Sequence, residues 1–506
     1  MIKKEYLIGV DLGAGSLKAS IIDSTGTLIS EGSSKVTTFR EKFSWSEQDP
    51  GEWYKALCYA VKVAIEKSKI NKNEIACLGL SAGAHIPVLL DADNNVIRKA
   101  IMWDDQRSAI EAEELNKEAG DMILNLSMNK PNPTWALAML KWIKKNEPEN
   151  FKKIKKFFIA KDYLRYLITD DWNTDYSDVV GALMADSEKK TWSKDICDLI
   201  GLPMNVLPPV KKPFDISGKV KESVASATGM MAGTPVVVGS NDTTVEFFGV
   251  GAIKPGNATI KLATAGVLSL GVGEKSICPP ISCYPHVLDG MYYVATGMNS
   301  CASAHRWLKD QFFSNENDMN TNIFQAMDQM ANEAKPGSDG LMFHPYLQGE
   351  RAPYWDPKLR ASFIGMTINH SKKHFVRAFY EGIAFAMMDL LNEAKSKGLS
   401  FSDARIIGGG AESKLWRKII CDVTGLTILK PNNGDASFGA AILAGIGSGI
   451  FSDPIDAVKQ CVKIVDTIQP DQKMHDLYQN LYKIYGDTQK SLQKINHSLH
   501  DFFVEQ

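Results

Sequence analysis

Short apolar runs broken by glycine-bearing turns open the chain. Tyr6 to Asp11 reads as a first strand, Gly13-Ala14-Gly15-Ser16 as a turn, and Leu17 to Asp23 as a second strand. Ser24-Thr25-Gly26 then turns into Thr27-Leu28-Ile29. Three strands joined by tight turns form a meander. Asp49-Pro50-Gly51-Glu52 announces a helix, with a capping Asp, Pro at the first helical position and Glu completing a capping box. Trp53, Leu57, Ala60, Val61, Ala64 and Ile65 recur at helical spacing and form its apolar face. Ile75 to Ser81 is the next strand, interrupted by Ala82-Gly83-Ala84-His85 before Val88 to Leu90, and Ala100 to Trp103 runs into Asp104-Asp105-Gln106-Arg107. Residues 108–235 read as mostly helical with loops, and the buried-looking strand Val236 to Val238 then runs into Gly239-Ser240-Asn241-Asp242.

After Asp242 the opening pattern returns. Asn257 to Leu262, the turn Ala263-Thr264-Ala265-Gly266 and Val267 to Val272 repeat strand, turn and strand. Ala404 to Ile407 then enters Gly408-Gly409-Gly410-Ala411, and Asp435 opens a helix of small residues. Strand-turn-strand followed by strand, glycine loop and helix thus occurs once in each half, and duplication is the economical explanation. From about 453 the pattern is helical and polar.

Composition narrows the class. At 506 residues the chain is too long for one core, so two domains are expected. With 44% hydrophobic and 23% charged residues it is of ordinary globular make-up. A formal charge of −2 gives no electrostatic footprint for nucleic acid or an acidic membrane surface. The apolar run after the first lysines breaks at Asp11, too early for a signal peptide, and no run approaches the ~20 residues of a membrane span. Eight scattered cysteines without a CxxC pair fit reduced thiols, and the expectation is a cytoplasmic α/β protein.

The candidate chemistry sits in the turns. In Asp11-Leu12-Gly13-Ala14-Gly15-Ser16, with Lys18 beyond, glycines let backbone amides approach phosphate oxygens and a carboxylate at a strand end can hold hydrated Mg²⁺. The same residues also suit an ordinary hairpin turn. The turn 263–266 is its counterpart in the second half, and the two together can grip a nucleotide triphosphate. Gly408 to Gly410, between a strand and a helix, offers backbone to a ribose or adenine. Neither G-x-G-x-x-G nor GxxxxGK[ST] is present, so an ATP site here is of another type. His85 lies at a cleft edge, where a structural role competes with a catalytic one. Trp103-Asp104-Asp105 pairs an apolar face with carboxylates, which suits a sugar as well as a solvated acidic loop. Asp242 follows a strand end, where α/β folds present their chemistry, and reads either as a catalytic base or as a helix N-cap.

In order along the chain, VDLGAGSLK (10–18), WSEQDP (45–50), AIMWDDQR (100–107), KDYLR (161–165), SD followed by G (177–181), SNDTT (240–244), TAG (264–266), FHPYLQGERAPYWD (343–356) and GGGAES (408–413) resemble the FGGY family of carbohydrate kinases, and within it the xylulose kinases. The resemblance covers roughly residues 6–450 and implies a two-domain, actin-like ATPase fold with ribonuclease-H-like cores and a catalytic cleft between duplicated domains. Residues 1–250 would form the sugar-binding domain and 251–506 the nucleotide-binding domain, with the helical tail. It implies Asp242 as catalytic base and Mg²⁺ ligand and Asp11 as the acid near Mg²⁺. Gly13, Gly15, Ser16, Lys18, Thr264 and Gly266 would hold ATP phosphates. Gly409, Gly410 and Ala411 would lie on the adenosine side, and Ala84, His85, Trp103 and Asp105 at the sugar. The implied reaction moves the γ-phosphate of ATP to a ketopentose, D-xylulose first among the candidates. Ribulose, another ketose, a polyol and gluconate are alternatives, and the family's frequent dimers point to a homodimer. Departures bear on the substrate more than on the reaction. Xylulose kinases usually show Gln-Met-His where this chain has Gly83-Ala84-His85, Ala14 and Ala263 replace a usual Thr and Gly, and Met139 stands where a Lys aligns. A non-catalytic sugar- or nucleotide-binding regulator on the same fold is the rival reading, and retention of Asp11 and Asp242 counts against it.

Overall fold

The computed structural model describes residues 5–42, 44–313 and 323–504, so Met1 to Lys4, with the lysines that precede the first apolar run, lie outside the described residues. The chain forms two compact units. The first runs to Ile253 and takes in Val272–Tyr293 and Asn433–Lys463. The second consists of Lys254–Gly271, Val294–Asn432 and the chain from Ile464 on.

The first unit is built on a six-stranded sheet. Its strands are β1 (Tyr6–Leu12), β2 (Ser16–Asp23), β3 (Leu28–Lys35), β4 (Ile75–Ala82), β5 (Ile216–Lys219) and β6 (Pro235–Val237), in the order β5-β6-β4-β1-β2-β3. β1 pairs antiparallel with β2 and parallel with β4, and β6 joins β4 in parallel. The carboxyl ends of β1, β4 and β6 therefore share one edge of the sheet, the edge where such folds carry ligands. β3 is longer than its apolar Leu28-Ile29 predicts. It is an edge strand, and its polar residues (LISEGSSK) hide its length from a hydrophobic pattern.

Helix α1 (Pro50–Ser68) covers one face with Trp53, Leu57, Val61 and Ala64, and Trp53 hands its indole N–H to Gln48 Oε1 at 2.8 Å. Asp49 caps the helix through the Gly51 amide. Glu52 does not close the expected box, because its carboxylate accepts instead from the Thr37 amide at 3.4 Å. The small-residue helix Ala436–Gly447 lies against this same sheet. A β-carbon on Gly9 would sit 1.8 Å from the Ser437 carbonyl oxygen and one on Gly79 2.0 Å from that of Ala440, so both strands must be bare there. Within 108–235 the helices Ala109–Ser127, Ala136–Asn146 and α2 (Ala160–Thr169) are joined by short strands the pattern did not show. One of these, Lys156–Ile159, pairs with Pro87–Leu90.

The second unit repeats the opening arrangement. Asn257–Leu262 and Gly266–Val272 form a hairpin, Asp403–Ile407 adds parallel to the first of them, and Thr427–Pro431 follows in parallel. The helical expectation after 453 is corrected at Ile464–Ile468. Its β-branched IVDTI pairs antiparallel with Thr427–Pro431 before the helix Gln472–Val504 begins. That last helix packs through Tyr478 and Tyr485, whose hydroxyls meet Arg377 Nη2 at 2.8 Å and Tyr346 Oη at 2.9 Å. All eight cysteines are free, and no helix among the described residues is long and apolar enough to cross a membrane.

Candidate active site

In the first unit, three strand ends place the predicted residues. Asp11, near the end of β1, lies opposite Lys18 on β2 and beside Ser81 on β4, and its Oδ1 accepts the Ser81 hydroxyl at 2.7 Å. Gly83, just past β4, donates its amide to Leu12 O at 3.2 Å. The turn between β1 and β2 is closed by the Gly13 amide on Ser16 O, and the Ala14 carbonyl is held by Gln48 Nε2 at 2.7 Å. Lys18 is engaged with Glu31 at 2.5 Å and Asp435 at 3.1 Å. Burial opposes its charge, but those two carboxylates outweigh it and raise its pKa.

Asp242 is reached from β6 through a tightly fitted turn. Gly239 has φ 77°, and a β-carbon on it would lie 2.1 Å from the Leu80 carbonyl oxygen, so the turn admits only glycine there. Helix α4 (Asp242–Gly249) then begins, and its cap is Asn241, whose side chain accepts the Thr244 amide at 2.9 Å. Asp242 is thus the first helical residue and not the cap. Its Oδ1 accepts the Thr243 amide at 2.6 Å, and Oδ2 is 4.0 Å from where a Gly83 β-carbon would be. That same point is 3.7 Å from Trp103 Cδ1, so Gly83 is flanked by the indole and the carboxylate with no side chain of its own between them.

Trp103 is 40% exposed, a face on which a ring or chain can lie, whereas Asp105 is turned inward. Asp105 is fully buried, its Oδ1 taking the amide and Nε of Arg107 and its Oδ2 taking Arg107 Nη2 at 2.7 Å and the Ser46 amide at 2.5 Å. Its carboxylate therefore shapes the loop that presents Trp103. Asp104 pairs with Arg40 at 2.6 Å.

His85 has φ 73°, a conformation few non-glycine residues take. Its ring is fixed from both sides. Nδ1 carries the proton, since it bonds the Gly181 carbonyl at 2.6 Å, and Nε2 accepts from the Tyr284 hydroxyl at 3.3 Å. Burial lowers its pKa to about 4, only partly offset by the Gly181 bond, so the imidazole is neutral near pH 7. Gly181 ends helix α3 (Tyr176–Gly181) and would set a β-carbon 3.4 Å from that of Ala84, so the motif at 177–181 buttresses the Ala84-His85 loop. Tyr284 stacks between Trp135 (5.8 Å) and Tyr293 (5.5 Å), and Tyr293 bonds Thr244 of α4 at 3.0 Å. This aromatic stack joins the His85 loop to the Asp242 helix.

In the second unit the remaining predicted residues also meet. The carbonyls of Ala263 and Thr264 accept the amides of Ala302 and of Cys301 and Ser303, which seats the turn on the start of helix Ala302–Phe312. Arg306 Nη2 reaches the Thr264 hydroxyl at 3.2 Å. Gly266 packs on Met298, where a β-carbon would come within 2.8 Å of Cγ. Gly408 and Gly410 both press on Leu262, the residue before this turn, while Gly409 faces open space. Thr264, Gly266, Gly409, Gly410 and Ala411 are thereby gathered around one strand end.

Comparison with known proteins decides the family. The model for the N-terminal domain of the FGGY family of carbohydrate kinases matches residues 6–249, and the model for its C-terminal domain matches 264–448. The chain belongs to the FGGY family of carbohydrate kinases. It is 30% identical over 501 residues to a xylulose kinase of Bacillus subtilis, covering 98% of this chain and 99% of that one. A gluconokinase of the same organism is 26% identical, with 96% of each chain covered. The crystal structure of a "xyloylose kinase" from Brucella ovis superposes with a TM-score of 0.85 at 30% identity, covering 97% of this chain and all of that one. The fold is the two-domain, mixed α/β fold of FGGY carbohydrate kinases, and the protein is a sugar kinase.

Several parts of this carbohydrate kinase escaped the sequence reading. Tyr284, Trp135 and Tyr293 are isolated aromatics in different segments, with no local pattern to link them. Arg306 carries no signal beyond its charge. The charges of KDYLR were legible as a motif, but not as the fully buried group they form with Asp175 and Asp178.

Proposed function

We propose that this carbohydrate kinase moves the γ-phosphate of ATP to a hydroxyl of a ketopentose, converting D-xylulose to xylulose 5-phosphate in the cytoplasm, with Asp242 as general base. The observation that carries the reading is the setting of Asp242. It is released from capping by Asn241 and turned toward the bare Gly83 beside the exposed Trp103. Asp242 takes the proton of the acceptor hydroxyl on a carboxylate oxygen as the sugar oxygen attacks phosphorus. Ala84, His85 and Trp103 line the sugar side, with neutral His85 able to meet hydroxyls without adding charge, and Asp105 holds the Trp103 loop. Gly13, Gly15 and Ser16 with Lys18, and Thr264 with Gly266, serve the phosphates. Gly409, Gly410 and Ala411 serve the adenosine. In this reading residues 1–250 handle the sugar, joined on that side by Tyr284 from the segment Val272–Tyr293 of the same unit, and the second unit handles the nucleotide.

In this reading Asp11 and Asp242, near the ends of β1 and β6, would hold Mg²⁺. Among the described residues no three His, Cys, Asp or Glu side chains gather as a metal cage, and Mg²⁺ in phosphoryl transfer asks only for one or two carboxylates completed by phosphate and water. When bound it neutralises phosphate charge.

ADP release measured with ATP and Mg²⁺ against xyluloses, ribuloses, other ketoses, polyols and gluconate tests the proposal. D-xylulose should give the highest kcat/KM, and absence of stimulation by every sugar would return the regulator reading. Gluconate as acceptor is the second reading, supported by the full-length similarity to a gluconokinase.

A further inference from the structure

Behind the Asp242 turn lies a buried group of charges that the reaction itself does not use. Lys161, Asp162 and Arg165 on α2, Asp175 at the cap of α3 and Asp178 within it are all buried. Lys161 Nζ contacts Asp162 at 2.5 Å, Asp178 at 3.2 Å and Asp175 at 3.3 Å, and it donates to the Val238 carbonyl at 3.2 Å. Arg165 donates to Asp162 at 2.7 Å, to the same Val238 carbonyl at 2.6 Å and to the Asn173 carbonyl. Asp175 Oδ2 accepts the Ser240 hydroxyl at 2.7 Å, and Ser177 Oγ takes Asn241 Nδ2 at 2.7 Å. Val238, Ser240 and Asn241 are thus each anchored from this side, and the next residue is Asp242. Three acids against two bases leave one negative charge in excess. Burial holds Asp178 well above the usual carboxylate range, which opposes that excess.

Burying such charges is costly, and hydrocarbon of the same shape usually stabilises a fold as well or better. What hydrocarbon cannot do is hold a carbonyl and a hydroxyl at fixed positions. We propose that Lys161 and Arg165 are positioning residues for phosphoryl transfer, setting the place of Asp242 through the Val238 carbonyl, while Asp175 sets it through Ser240. The inference rests on Asp242 being the base.

The test is the paired variant Lys161→Met/Asp162→Asn, which removes one charge of each sign at nearly constant volume. It is assayed in the full-length enzyme for kcat, KM and melting temperature. A folded protein with KM values within about threefold of wild type and kcat lower by about 10- to 100-fold is expected, the scale of a base displaced by about 1 Å. A folded pair with wild-type kcat would overturn the inference. Should the pair not fold, Arg165→Lys keeps the charge but loses the planar fork that spans Asp162, Val238 and Asn173. The same kcat loss at unchanged KM is expected, and wild-type kcat again overturns the inference. Placed on Asp242→Asn, either change should lower the residual rate no further, and a full additional loss would show that the network does not act through Asp242. Failure of the underlying reading is distinguishable, because Asp242→Asn alone would then retain near-wild-type turnover.

Discussion

The side chain of Asn241 accepts the amide of Thr244 at 2.9 Å and so caps the helix whose first residue is Asp242. The cap is therefore Asn241, while Asp242, one residue inside the helix, takes the Thr243 amide on Oδ1 and turns Oδ2 toward Gly83. Asn241→Ala should cost about 1 kcal/mol of stability and lower kcat, because the first turn of α4 loses its anchor. Asn241→Asp, which can still cap, should recover most of the stability in thermal unfolding.

Asp242→Asn keeps the size of the side chain and removes its basicity. Calorimetric binding of sugar and ATP should persist while turnover falls at least ~10², the low end for a lost general base. Near-wild-type turnover would remove Asp242 from the mechanism.

Tyr284 donates to His85 Nε2 at 3.3 Å and stacks on Trp135. Tyr284→Phe keeps the stack and deletes the donor, so the KM for sugar should rise about threefold to tenfold with a smaller change in kcat, as expected for one lost hydrogen bond. With its pKa lowered from 6.5 to about 4 by burial, His85 is neutral in the fold and binds a proton more readily when unfolded. Its contribution to stability is therefore complete above 6.5 and lost as pH falls toward about 4. The KM for sugar, if it depends on neutral His85, should be flat across that upper range and rise only below about pH 5.

Glu350 in the second unit gives the opposite sign. Burial raises its pKa from 4.5 to about 7 against the opposing amides of Asn299 and Arg351, each 2.7 Å from Oε1. The folded chain binds its proton more tightly, so this stability is present below 4.5 and is lost as pH rises toward about 7, on the order of 3 kcal/mol in all. Glu350→Gln should flatten the decline of melting temperature over that window, and an unchanged pH profile would place the charge elsewhere.

The features legible in the sequence were local. Glycines after an acid at a strand end marked the turn at 11–16, the repeated strand-turn-strand order marked its counterpart at 263–266, and that pattern was visible in each half because its strands are apolar and buried. The inward turn of Asp105 was not legible, since the choice between a sugar hydroxyl and Arg107 is made by the packing around that arginine, which rests 3.6 Å over Trp45. Nor was the cap at Asn241. Asn-Asp-Thr-Thr permits a cap at either of the first two residues, and the one-residue choice follows from Gly239 pressing on β4 and Asn241 Nδ2 bonding Ser177. Residue 464 onward read as helix because the tail is short of apolar runs, and the strand there exists only by pairing with Thr427–Pro431.

The bare faces of Gly9 and Gly79, filled by the backbone of helix Ala436–Gly447, bear on how the protein is made. A ribosome delivers β1 and β4 early, yet the helix that covers them emerges only when residue 447 has been synthesised. Until then the first unit's sheet must wait with an apolar surface uncovered, the state that chaperones recognise. A gene fragment stopping before this helix leaves that surface without its cover, and supplying 433–463 as a separate peptide is the direct way to restore it.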